Sequence, residues 1–175
     1  MLNKRKQARL LRNQLTNEQY IEYSRLICEK VQQFITDKNV IMLYNAIDNE
    51  VDLTYLDTNS KTVVYPRCEG ENMIAVLPKG FFKGNYNIQE PVGEEFKSKI
   101  DAVIVPMCAF DDNLNRLGYG KGYYDKFLIK KDCLKIAVAF SCQKTQGIIR
   151  KETDVIMDLI VTEKEIIGEY DERFS

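Results

Sequence analysis

"DAVIVPMCAFDDNLNRLGYGKGYYDKFLIKK", residues 101–131, strings together an apolar run, a polar loop, a glycine-rich run and a helix-like stretch. In "AVIVPM" (102–107) polar and apolar side chains do not alternate, the pattern of a strand buried on both faces. Similar runs recur at "VIMLY" (40–44), "TVVYP" (62–66), "MIAVL" (73–77), "KIAVAF" (135–140) and "DLIVT" (158–162). Stretches at 51–60, 120–131 and 163–170 read as helices between or after them. Strands alternating with helices predict an α/β fold, a three-layer sandwich with a largely parallel central sheet flanked by helices.

An N-terminal helical segment precedes this core. "MLNKRKQARLLRNQL" holds five cations and no acid, and Thr16 with Gln19 three residues on makes a capping box for a new helix. From there Tyr20, Tyr23, Ile27, Val31 and Phe34 recur at helical spacing. "PKGFFKGNYNIQEPVGEE" (78–95) is the one long irregular stretch, a candidate mobile or functional loop.

With 175 residues, the chain suits a single domain spanning 1–175. A net charge of −1 argues against a large nucleic-acid surface. No apolar run approaches the roughly 20 residues of a membrane span, and the start lacks a secretory apolar region. Cys28, Cys68, Cys108, Cys133 and Cys142 are scattered, as free thiols in a reducing cytoplasm would be. Histidine is absent, which excludes Ser-His-Asp triads, Cys-His dyads and H-E-x-x-H zinc sites. Tryptophan is absent too, so an aromatic ligand would stack on Tyr or Phe.

The glycine run follows a strand and opens a helix, where an α/β sheet receives ligands and helix N-termini attract anions. Gly118, Gly120 and Gly122 let backbone amides approach a ligand, while Arg116 and Lys121 add positive charge. The run is neither a Walker A loop nor a dinucleotide fingerprint, since Tyr123 stands where the last glycine of G-x-G-x-x-G belongs. By spacing alone it is either a phosphate loop or a glycine-rich turn packed under tyrosines. Asp125 likewise either favours the helix dipole or holds Mg²⁺ against phosphate.

"RLGYGKGYYDKFL" (116–128) resembles the signature of the 5-formyltetrahydrofolate cyclo-ligase family, also called methenyltetrahydrofolate synthetases. The likeness extends in order through "VVYPRCEGENMIAV", "IQEP", "PMCAFDDNLN", "AFSCQ" and "KETDVIMDLIVTEKEII" and spans nearly the whole chain. It implies ATP-dependent, Mg²⁺-dependent cyclisation of 5-formyltetrahydrofolate to 5,10-methenyltetrahydrofolate, with ADP and phosphate released. The formyl oxygen would take the γ-phosphoryl group, giving an imidate-type phosphate that the amine at position 10 displaces. Positioning and charge neutralisation suffice for such a transfer, and histidine is not required.

Carried over by position, Arg116, Leu117, Gly118, Tyr119, Gly120, Lys121, Gly122, Tyr123 and Tyr124 would bind nucleotide. Within that loop Lys121 and Arg116 would be catalytic, and Tyr119 to Tyr123, with Gly120, Lys121 and Gly122, would also face folate. Asp125 and Asp154 would hold the metal. Glu50, in "YNAIDNEVD", matches the family's folate-contacting glutamate, and Asn45 lies in the same loop. The family's first-helix lysine and arginine, both near the ATP phosphates, fall on Met1 and Arg5, so Arg5 would bind nucleotide and Lys4 or Lys6 would substitute for the lysine. The expected partners are small molecules, with no nucleic acid and no membrane, for a cytoplasmic monomer or weak homodimer. Competing readings are a non-catalytic folate- or nucleotide-binding regulator, a sugar-phosphate isomerase-like enzyme, and an RNA-binding module built on "KRKQARLLR".

Overall fold

The computed structural model describes residues 2–84 and 88–174. Its centre is a seven-stranded sheet: β1 (Val40–Met42), β2 (Thr62–Glu69), β3 (Asn72–Val76), β6 (Ala102–Pro106), β9 (Leu134–Val138), β10 (Leu159–Val161) and β11 (Ile166–Ile167). They stand in the order β11-β10-β9-β6-β1-β2-β3. The five inner strands are parallel, and β3 and β11 close the edges antiparallel. Helix α1 (Leu2–Asn13) precedes α2 (Asn17–Ile35), and α3 (Tyr123–Leu128) follows the glycine run.

All five residues of β6 are buried, as an unalternating apolar run requires. Ile104 faces the cluster built on Ile27, Val31 and Ile35 of α2. Val103 and Val105 face the opposite cluster with Leu128 of α3. These are the three layers. The Thr16–Gln19 capping box forms and starts α2. All five cysteines are free thiols. Among the described residues, no helix is long and apolar enough to cross a membrane.

The helices expected at 51–60, 120–131 and 163–170 need correction. The first is one 3₁₀ turn, Leu53–Tyr55, because Asp52 and Asp57 accept from the amides of Thr54 and Asn59 and divert the backbone. The second begins only at Tyr123, because Gly120 and Gly122 adopt positive φ (103° and 70°). The third is replaced by a turn, in which the Thr162 hydroxyl accepts from the amides of Lys164 and Glu165, and by β11 on the sheet edge. The irregular stretch 78–95 contains an antiparallel hairpin, β4 (Gly80–Lys83) with β5 (Gln89–Val92). Its connecting residues 85–87 lie outside the described ones.

A second small hairpin, β7 (Ala109–Phe110) with β8 (Arg116–Leu117), leads from β6 into the glycine run. Buried Gln143 holds the start of this segment. Its amide nitrogen donates to the carbonyls of Met107 (2.9 Å) and Cys108 (3.0 Å), and its Oε1 accepts from the Phe140 amide. Gln143→Leu strands all three buried groups and is expected to cost about 2–4 kcal/mol in urea unfolding, whereas a loss below about 1 kcal/mol would contradict this clamp.

Candidate functional site

In chain order the sheet grows from β1 outward to β2 and β3, then returns to the other side of β1 with β6. The carboxyl ends of β1 and β6 therefore flank a topological switch point, the usual place for a ligand in an open parallel sheet. The loop after β1 carries Glu50. The segment after β6 carries the glycine run. Both sequence-predicted elements meet there: the Tyr119 hydroxyl donates to Glu50 Oε1 at 2.5 Å.

Local geometry aims Glu50. Asp48 and Asn49 both adopt left-handed φ (49° and 58°), and the Glu50 amide donates to the Ile47 carbonyl, closing a tight turn. The turn brings Glu50 Oε2 onto the Ile47 amide (3.0 Å). Glu50 is only 4% exposed, and burial raises its pKa, opposed by the Tyr119 hydroxyl, the Ile47 amide and Arg12. Asn45, placed in the same loop, donates to the Gln89 carbonyl and ties the loop to the β4–β5 hairpin.

The glycine run divides its residues between open and packed positions. A Cβ at Gly120 or Gly122 would meet no atom within 4 Å, so their backbone faces open space and only the positive φ demands glycine. At Gly118 the same atom would lie 3.0 Å from the Arg116 guanidinium. Lys121 is exposed. Leu117 instead packs with Ala8, Ala109 and Ile148. The Tyr123 hydroxyl donates to the Gly70 carbonyl in the β2–β3 turn. The Arg116 guanidinium lies 5.8 Å over the Tyr124 ring. Arg116 is turned inward, its side chain 5% exposed and paired with Asp125 at 2.9 Å. Burial lowers the pKa of Arg116, opposed chiefly by Asp125, then by Tyr124 and Asp154.

Of the two candidate metal carboxylates, Asp125 pairs with the Arg116 guanidinium, while Asp154 only adds to the charge around it. Asp125 Oδ1 accepts from Arg116 and from the Val155 amide, while Asp154 Oδ2 accepts from the Lys151 amide. The second oxygen of each takes no part in these bonds. Among the described residues no three His, Cys, Asp or Glu side chains gather as a metal cage. Two carboxylates with free oxygens suit Mg²⁺, which takes one or two protein carboxylates and completes its shell with water and phosphate.

Helix α1 lies across the run. Arg5 donates to the Gly118 carbonyl (2.6 Å), and Lys4 donates to the carbonyls of Gln146 and Gly147. Lys6 is exposed, and Met1 lies outside the described residues. Arg9 pairs with Asp48 at 2.7 Å and sits over the Tyr119 ring. Arg12 is buried against Tyr119. The cations that suggested an RNA-binding face are largely committed within the molecule. Arg9, Arg12 and Gln143 were not singled out from the sequence. For the arginines a signal existed, since Arg5, Arg9 and Arg12 share one helical face.

Removing the charge of Asp125 leaves Arg116 buried and unpaired, so Asp125→Asn is expected to lose about 3–5 kcal/mol of stability. Asp154→Asn forfeits mainly one turn hydrogen bond and should lose about 1 kcal/mol or less. Thermal or urea unfolding of the two variants checks this ordering, and equal losses would contradict it.

Residues 3–163 match the model of the 5-formyltetrahydrofolate cyclo-ligase family. A 5-formyltetrahydrofolate cyclo-ligase of Mycoplasma pneumoniae is 31% identical over 170 residues, covering 91% of this chain and 96% of the relative. That of Mus musculus is 28% identical, covering 85% and 86%. The solved structure of Aquifex aeolicus 5,10-methenyltetrahydrofolate synthetase superposes with a TM-score of 0.79 at 34% identity, over 98% of this chain and 93% of that one. Sequence and fold agree along almost the full length: the chain belongs to the 5-formyltetrahydrofolate cyclo-ligase family.

Proposed function

We propose that the protein converts 5-formyltetrahydrofolate and ATP to 5,10-methenyltetrahydrofolate, ADP and phosphate, with Mg²⁺ as cofactor. The observation that carries this reading is the Tyr119–Glu50 hydrogen bond. It joins the family's nucleotide-loop signature to its folate glutamate across 69 positions of sequence. A sugar-phosphate isomerase would not need the buried carboxylate that meets the loop.

In this scheme Glu50 accepts hydrogen bonds from the amino and ring N–H groups of the pterin. The amides around Gly120 and Gly122, with Lys121, receive the ATP phosphates. Asp125 and Asp154 hold Mg²⁺, which supplies charge neutralisation at those phosphates. Arg116 acts from below by orienting Asp125. The formyl oxygen attacks the γ-phosphorus and ADP departs. The nitrogen at position 10 then attacks the formyl carbon, the phosphorylated oxygen leaves as phosphate with the proton lost from that nitrogen, and the ring closes. Lys121 is the cation placed to neutralise charge on the group in transfer.

Absorbance of the methenyl product, followed with 5-formyltetrahydrofolate and Mg·ATP, tests the activity directly. No product from folded protein would overturn it in favour of a binding regulator. Lys121→Ala should lower turnover about 100-fold without lowering the melting temperature, since the side chain is exposed. Asp154→Asn should raise the Mg²⁺ needed for half-maximal rate and leave folate affinity nearly unchanged. A magnesium dependence identical to wild type would remove Asp154 from the metal site.

A further inference from the structure

Arg12, in the last turn of α1, is 1% exposed and one of the largest fully buried side chains. Among the described residues its side chain makes one hydrogen bond, from Nη2 to the Tyr119 hydroxyl at 3.4 Å. Its Nε and Nη1 are buried without a hydrogen-bond partner among the described residues. A guanidinium offers five donors, and burying one so poorly satisfied is costly unless a charge nearby compensates. The compensating group is Glu50. The single proton of the Tyr119 hydroxyl is directed to Glu50 Oε1, so the same oxygen can accept from Arg12. Arginine, tyrosine and carboxylate form one chain.

We propose that Arg12 is a positioning residue for Glu50: its buried guanidinium, acting through the Tyr119 hydroxyl, keeps the carboxylate ionised and aimed as an acceptor for the folate substrate. This rests on the reading of Glu50 as the folate acceptor. A carboxyl group in this buried turn would otherwise tend to hold its proton and present a donor where the pterin also presents donors. Beside the hydrogen bonds from the Tyr119 hydroxyl and the Ile47 amide, Arg12 is the charge that favours the carboxylate. Asp48, in the same turn, opposes ionisation and is itself paired with Arg9. Tyr20 from α2, Tyr44 after β1 and Tyr124 from α3 face Glu50 as neutral phenols, and Cys108 after β6 as a neutral thiol, all with pKa raised by burial. Tyr119 also stays neutral, its pKa raised by burial and by Glu50.

The test is equilibrium binding of 5-formyltetrahydrofolate from about pH 5.5 to 8.5, with the KM for Mg·ATP as a control. Ionised Glu50 is the binding form, so affinity falls as pH drops through its pKa. Arg12→Met removes the charge and should move this acid limb up by about one pH unit and weaken binding at pH 7 several-fold. The KM for ATP should stay within about two-fold. Arg12→Lys should restore much of the shift, and Arg12→Met should add little once Glu50→Gln is present. Arg12→Gln, which is neutral and polar, decides the matter if the methionine variant does not fold. An acid limb unmoved in the neutral variants, whatever their melting temperature, overturns the proposal. Should Glu50→Gln bind folate as well as wild type, the reading of Glu50 fails first, and the role given to Arg12 falls with it.

Discussion

The placement of β6 between β1 and β9 is the constraint on which the rest of the molecule depends. Its five residues are buried on both faces and pair in parallel on both sides. Parallel pairing forces every inner strand to end on the same side, and the order of the strands opens the switch point between β1 and β6. Glu50 and the glycine run hang from those two strand ends, while Asp154 comes from the segment between β9 and β10 and Arg12 from α1. The β1 loop delivers a carboxylate and the β6 segment delivers a glycine-bearing backbone. Gln143, after β9, fastens the β6 segment by its own carbonyls. A site built of loops thus takes its precision from the sheet beneath it.

The interior of the site is unusually charged. Arg116 with Asp125, and Arg12 with Tyr119 and Glu50, are placed where hydrophobic side chains would give a more stable core. Each group has a directional task that an apolar residue cannot perform. Arg116 fixes a carboxylate beneath the glycine run, and Arg12 faces one beside it. With histidine absent from the sequence, the site is lined by charged side chains, phenols and backbone amides. That suits a phosphoryl transfer, in which positioning and neutralisation dominate.

The strands were legible in the sequence because β-branched runs without alternation have few other physical solutions. The start of α2 was legible because Thr16 and Gln19 satisfy each other locally. The glycine run and Glu50 were visible as residue types, and the family likeness linked them. The misread helices fail for a shared reason, namely competition from side chains and edges. Asp52 and Asp57 capture backbone amides, and Ile166–Ile167 gains more from pairing with β10 than from a short helix. The β4–β5 hairpin was hidden by its glycines and prolines. Spacing put Arg12 on one helical face with Arg5 and Arg9 but did not encode its burial, and the role of Gln143 lies wholly in burial and long-range partners.

We propose that one glycine loop serves both substrates, its amides toward ATP and its Tyr119 toward the Glu50 carboxylate that receives the pterin. Sharing a loop makes the two binding events energetically coupled, and such coupling is reciprocal. Calorimetric titration of 5-formyltetrahydrofolate, with and without a Mg²⁺-bound non-hydrolysable ATP analogue, measures it, as does the converse titration. The account predicts that each ligand strengthens the other by the same factor, about five-fold or more. Affinities that are independent in both directions would contradict it.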